Sequence, residues 1–115
     1  AIVKLVDKML RNMGFNNVYT SNDGASAWKL LQKSKAEDAQ FSFVISDWNM
    51  PMMTGLQLLN KVRMDDLYNG MPFLMLTAES EQGSVIQAIK TGVSSYVVKP
   101  FSEEVLKRKI NEIFE

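Results

Sequence analysis

The chain contains no cysteine and no histidine in its 115 residues. The first absence excludes disulfide staples, thiolate metal sites and thiol nucleophiles. The second excludes Ser-His catalysis and imidazole metal ligation. An excess of charge is also lacking, since 13 basic side chains face 13 acidic ones. Nothing in that balance points to nucleic acid or an anionic membrane, and the expected partners are proteins or small ligands. No apolar run reaches the length of a membrane span, and no charged-then-apolar leader precedes the first helical pattern, so a cytoplasmic location is expected. What remains for chemistry is carboxylates, hydroxyls, lysines and main chain. With 46% apolar residues, a chain of this length suffices for one core, and a single domain over residues 1–115 is expected.

Apolar residues recur in two periods. Ile2, Val6, Met9, Leu10 and Met13 step by three and four, and Gly14 follows, which predicts an opening helix with a glycine stop. Asn17 to Ser21 reads as a short strand around Val18 and Tyr19. Asn22-Asp23-Gly24 then supplies turn chemistry that caps a helix from about Ala25 to Lys33. Lys35 to Gln40 reads as a polar loop. Phe43-Val44-Ile45, Phe73 to Leu76 and Tyr96-Val97-Val98 are short runs apolar on both faces. Helical spacing resumes at Leu56, Leu59 and Val62, at Val85, Ile86 and Ile89, and after Ser102, whose Glu103 and Glu104 complement the helix dipole. Strands buried on both faces and alternating with helices predict an α/β three-layer sandwich around a parallel sheet.

In open α/β sheets ligands sit beyond the carboxyl ends of the strands, so the residue after each apolar run is the one of interest. These are Asp47, Thr77 and Lys99, the last followed by Pro100. Taken singly, each has a plain structural role: a turn or cap aspartate, a strand threonine, a strand-ending X-Pro. Taken together, a carboxylate, a hydroxyl and an ammonium converge on one edge. A carboxylate accepts a phosphoryl group when a cation neutralises the incoming charge. Lys99 is placed to supply part of that charge, and the Thr77 hydroxyl to bond a phosphoryl oxygen.

Asp47-Trp48-Asn49-Met50-Pro51, Gly55, Thr77-Ala78-Glu79 and Lys99-Pro100-Phe101 resemble, in order and separation, the signatures of bacterial response-regulator receiver domains. Gly14-Phe15-Asn16-Asn17-Val18 and Tyr96-Val97-Val98 resemble the chemotaxis, CheY-like members. The resemblance covers nearly the whole chain. It implies a flavodoxin-like fold of strand order 2-1-3-4-5. It further implies a phosphoacceptor at Asp47, a switch hydroxyl at Thr77, a cationic partner at Lys99 and a rotamer-changing aromatic at Tyr96, with a cis peptide before Pro100. Asn49 and Glu79 take the positions that set phosphoryl lifetime, and Trp48 becomes a reporter of metal or phosphoryl binding, with core filler as the other reading. The phosphoryl donor is a histidine kinase. Transfer and autodephosphorylation are self-catalysed, without the chain being a conventional enzyme. The flagellar motor switch and a phosphatase are the further partners, met on the face of the fourth helix, last strand and last helix, where Tyr96 and Lys109 match. Glu81, Gln82 and the bulky Ile89 depart from the motor-binding pattern. Met52 and Met53 are read as loop or edge residues, not a binding surface.

The same resemblance exposes a gap. Receivers begin with a strand ending in an acidic pair which, with the acceptor, holds magnesium. Asp7, inside the first helix, and Asp23, in a turn, do not take that place. Asp47 and the Asn49 main-chain carbonyl supply two of the roughly six oxygens that magnesium needs, so its binding is expected to be impaired. The alternative function is therefore a phosphorylation-independent interaction module, or a truncated or domain-swapped receiver. The absent strand belongs between the segments near Val18 and Val44. Three outcomes are expected for the slot: direct pairing of its neighbours, entry of another chain's segment to give a domain-swapped oligomer, or an upstream strand of the same protein.

Overall fold

In the computed structural model, which describes residues 2–38, 40–78 and 82–114, three parallel strands alternate with helices. The first helix, α1, spans Ile2–Asn12, buries Val6 and Met9, and stops at Gly14, whose φ of 101° favours glycine. Helix α2, Gly24–Ala36, starts where the Asp23 carboxylate accepts the Ser26 N–H at 2.7 Å. That bond and one from the Ser26 hydroxyl hold the Asp23 carboxyl below its usual range. The helix outruns its expected end at Lys33, and Lys35 is helical instead of looped. The reason is tertiary: Ser34 meets the Tyr68 hydroxyl at 2.6 Å and Lys35 meets Asp65 at 2.7 Å, so the extra turn gains partners that periodicity does not reveal.

Strand β1 is Val44–Asp47, β2 is Phe73–Ala78 and β3 is Ser95–Lys99. Between them run α3, Gly55–Arg63, closed at its start by a reciprocal Thr54/Gln57 capping box, and α4, Gln82–Thr91. Helix α5, Glu103–Ile113, follows Ser102, whose hydroxyl accepts the Val105 N–H as the sequence anticipates. The order is β1-β2-β3, all parallel. One face of β2, through Phe73 and Met75, packs on Leu31, Leu58, Leu59 and Val62 of α2 and α3 and on Ala88 of α4. The other face, through Leu74 and Leu76 with Val97, packs on Val6, Met9, Leu106 and Ile110 of α1 and α5. This is the flavodoxin-like three-layer arrangement.

The expected strand at residues 17–21 is not formed: the stretch carries no strand structure, and Tyr19 is 66% exposed. A strand exists by pairing, and among the described residues no strand lies beside this stretch to pair with it. Val44 and Trp48 donate their N–H groups to the Pro72 and Leu76 carbonyls, so the alternation of a parallel ladder turns Ile45 and Asp47 N–H outward. Between that edge and residues 15–21 runs a groove of about 1020 Å³, lined among others by Val6, Leu10, Val18, Leu31, Phe43 and Ile45. Direct closure of the slot, the first of the three expected outcomes, is therefore not adopted. An open slot flanked by strands on both sides would leave two rows of backbone groups unpaired, at about 1–3 kcal/mol for each buried group. Here only one row of backbone groups faces it instead of two, and Ile45 and Asp47 are only half-buried, so water reaches that row.

Candidate functional site

Asp47 closes β1, Thr77 lies one residue from the end of β2, and Lys99 closes β3. Register sets them close to level, each one residue further along than the last, because Asp47 pairs with Leu76, Thr77 with Val98 and Ala78 with Lys99. The Lys99 ammonium reaches across the middle strand to Asp47 Oδ1 at 2.8 Å, with both side chains largely covered. The Asn49 N–H also points to Oδ1, at 3.3 Å, while the Asn49 side chain is exposed. The end of β1 is fixed by a close approach. The Gly55 N–H donates to the Trp48 carbonyl at 2.9 Å, and a Cβ on Gly55 would stand 2.4 Å from the Asp47 carbonyl oxygen and 2.7 Å from the Met75 sulfur. Only glycine lets α3 begin against the end of β1.

Thr77 is 0% exposed, and its Oγ1 has no hydrogen-bond partner among the described residues. It lies on the same face of β2 as Phe73 and Met75. Tyr96 packs against that face, one register step below. The Tyr96 ring is half-buried, with the Lys109 ammonium 5.8 Å from its centroid. Ile86 and Ile89 of α4 are each 57% exposed and Val98 of β3 is 41% exposed, uncovered apolar side chains on elements of the expected partner face. Trp48 is half-buried against the α3-side core, so it fills space and adjoins Asp47 at once. The peptide before Pro100 is cis. Glu79 and Glu81 lie outside the described residues. Gln82 opens α4, though nothing further is described of its side chain.

The magnesium that the resemblance implies would meet Asp47 and the Asn49 main-chain carbonyl at this edge. Among the described residues no three acidic side chains gather, and the Asp47 carboxylate already holds an ammonium. One carboxylate with one carbonyl falls well short of an octahedral oxygen shell. Two further groups escaped sequence reasoning. Arg63 donates to the carbonyls of Gly92, Asn69 and Met71 at 2.8, 3.1 and 2.7 Å, tying the end of α3 to the turns that launch β2 and β3; partial burial lowers its pKa. Asp65 receives Lys35, Gln32 and the N–H groups of Leu67 and Tyr68, and the Lys35 bond leads in lowering its pKa to about 2. A cation and an acid flanking the end of α3 were visible signals, but their partners are distant in sequence.

A family model described as the response regulator receiver domain matches residues 1–111. The chemotaxis protein CheY of Pseudomonas aeruginosa is 43% identical over 112 residues, covering 97% of this chain and 86% of that protein. The CheY-3 protein of Vibrio cholerae is 42% identical over the same share of this chain and 82% of its own length. Among solved structures, the chemotaxis response regulator CheY4 of Vibrio cholerae superposes with a TM-score of 0.82 at 35% identity, covering 97% of this chain and 88% of that one. The receiver domain of a sensor histidine kinase from Pseudomonas aeruginosa, solved with magnesium in its active-site cleft, gives 0.78 at 25% identity over 97% and 88%.

Proposed function

The chain belongs to the response-regulator receiver family, and from that premise we propose that it is a CheY-like phosphoacceptor of two-component signalling, acting in chemotaxis as a single domain. The observation that carries the proposal is the near-level placement, on three adjacent strand ends, of the Asp47–Lys99 ion pair and a buried Thr77 hydroxyl with no partner among the described residues. In this reading Asp47 Oδ2 attacks the phosphorus of a kinase phosphohistidine. The new P–O bond forms as the P–N bond breaks, and the electron pair leaves on the imidazole nitrogen. Lys99, already on Oδ1, neutralises the added charge, and Thr77 Oγ–H turns to donate to a phosphoryl oxygen. Moving the Thr77 side chain vacates room on the face it shares with Tyr96. The ring follows, and the surface of Tyr96, Lys109, Ile86 and Ile89 changes shape for a protein partner such as the motor switch. Asn49 and Glu79 set the phosphoryl lifetime, a phosphatase shortens it, and the setting is cytoplasmic. Among the described residues, no helix is long and apolar enough to cross a membrane.

The direct test is to incubate the chain with acetyl phosphate, with and without magnesium, and to follow intact mass for wild type and Asp47→Asn. A single phosphoryl adduct on wild type and none on the variant is expected. Equal uptake by Asp47→Asn removes the assignment. The second reading is a phosphorylation-independent interaction module with impaired magnesium binding. It is favoured by the lack of any three gathered acidic side chains among the described residues and by the open edge of β1. Binding of a partner with the same affinity before and after phosphodonor treatment would select it.

A further inference from the structure

We propose that the groove between α2 and α3 is a binding site for a small amphipathic anion, one with a flat aromatic body and a single acidic group. Gln57 and Lys61 of α3, with Met64 just past its end, form one wall. Trp28 of α2 and Met52 and Met53 of the β1–α3 loop complete the lining of an open groove of about 580 Å³. A volume of about 300–1,000 Å³ is what small-molecule sites offer. Two of the methionines are left in water to an unusual degree, Met52 at 84% and Met64 at 78% exposed. Their polarisable thioethers flank a half-buried indole, a surface suited to an aromatic ring.

The charge pattern specifies the rest. The Lys61 ammonium stands 5.6 Å from the Trp28 ring centroid, and among the described residues no carboxylate lies within ion-pair distance of it. The groove's own acid, Asp65, is engaged by Lys35 at 2.7 Å and does not neutralise Lys61. An uncommitted cation over an aromatic ring, bounded by apolar side chains, matches a ligand whose ring lies against Trp28 and the methionines while its acid meets Lys61. The sequence reading of Met52 and Met53 as mere loop residues changes accordingly, because folding sets them beside Trp28 and Met64. The site stands apart from Asp47 and does not rest on the phosphoacceptor reading.

The test titrates the full chain with 8-anilinonaphthalene-1-sulfonate and, in parallel, with its neutral counterpart N-phenyl-1-naphthylamine. Dye emission and backbone amide shifts are followed. Saturable binding of the sulfonate is expected, with shifts centred on Trp28, Lys61 and Met64. The neutral dye should bind about fivefold more weakly, the scale of one partly exposed ion pair. Lys61→Arg should retain the affinity and Lys61→Glu should lose at least about fivefold. Lys61 is exposed, so both variants should keep the fold by circular dichroism. Unchanged affinity in Lys61→Glu, equal binding of the two dyes, shifts confined to the groove beside β1, or no saturation through the millimolar range would each overturn the proposal.

Discussion

Replacing Thr77 by valine should stabilise the fold while disabling the switch. Threonine to valine exchanges a hydroxyl for a methyl of similar size, and in most buried settings the loss of a hydrogen bond makes it unfavourable. Here the Oγ1 is fully buried with no partner among the described residues, and its neighbours on that face are Met75 and the α3-side core. A buried unmade hydrogen bond costs about 1–3 kcal/mol, and valine removes that cost and adds apolar contact. Allowing for imperfect fit of the new methyl, a gain of about 1 kcal/mol is expected. Urea unfolding followed by circular dichroism should show a raised midpoint with the slope unchanged. The same variant, treated with acetyl phosphate, should still take up the phosphoryl group but show a reduced change in Trp48 emission. A lowered midpoint would mean that the hydroxyl is bonded in the resting state. A full Trp48 response would mean that it plays no part in the switch.

Lys99→Ala should still permit acylation of Asp47 but blunt the conformational response, because the ammonium recognises the phosphoryl group and does not attack; partner binding by the phosphorylated variant at wild-type strength would make Lys99 purely structural. Asp65→Asn should cost about 1–3 kcal/mol in urea unfolding, the range for charge-assisted bonds, since it weakens the links to Lys35 and the 67–68 amides. The folded-state pKa of Asp65 lies below its unfolded value, at about 2 against 3.8, so its contribution is present above pH 3.8 and is lost as pH falls through about 2. The variant's stability should therefore be flatter between pH 4 and 2, and an acid limb as steep as wild type would contradict this. Hydrogen exchange in a size-selected monomer should show slow amides at Val44 and Trp48, with fast ones at Ile45 and 17–21; slow exchange at Ile45 would mean that the slot is filled or closed.

The fold was legible wherever a segment buries a face on its immediate neighbours. The apolar runs at 43–45, 73–76 and 96–98 became strands, and helix ends followed Gly14, Asp23 and Ser102, because caps and periodicity are local. Residues 17–21 misled for the opposite reason. Val18 and Tyr19 have strand propensity, but propensity without a pairing edge does not make a strand. Lys35 was misplaced because its partner, Asp65, lies thirty residues away. At the site, the placing of Asp47, Thr77 and Lys99 could be read from the rule about strand carboxyl ends. The reach of Lys99 over β2, the Thr77 hydroxyl left without a partner among the described residues and the Arg63 clamp depend on register and packing, which spacing alone does not encode.

If Asp47 carries the phosphoryl group, the aspartyl phosphate can be trapped chemically by borohydride, which reduces the acyl phosphate to an alcohol. The chain is treated with acetyl phosphate, reduced, digested and mapped by tandem mass spectrometry. Homoserine is expected at position 47 and at no other aspartate. Homoserine at Asp7, Asp23 or Asp65, or an unreduced Asp47 in a chain that has gained a phosphoryl group, would contradict it.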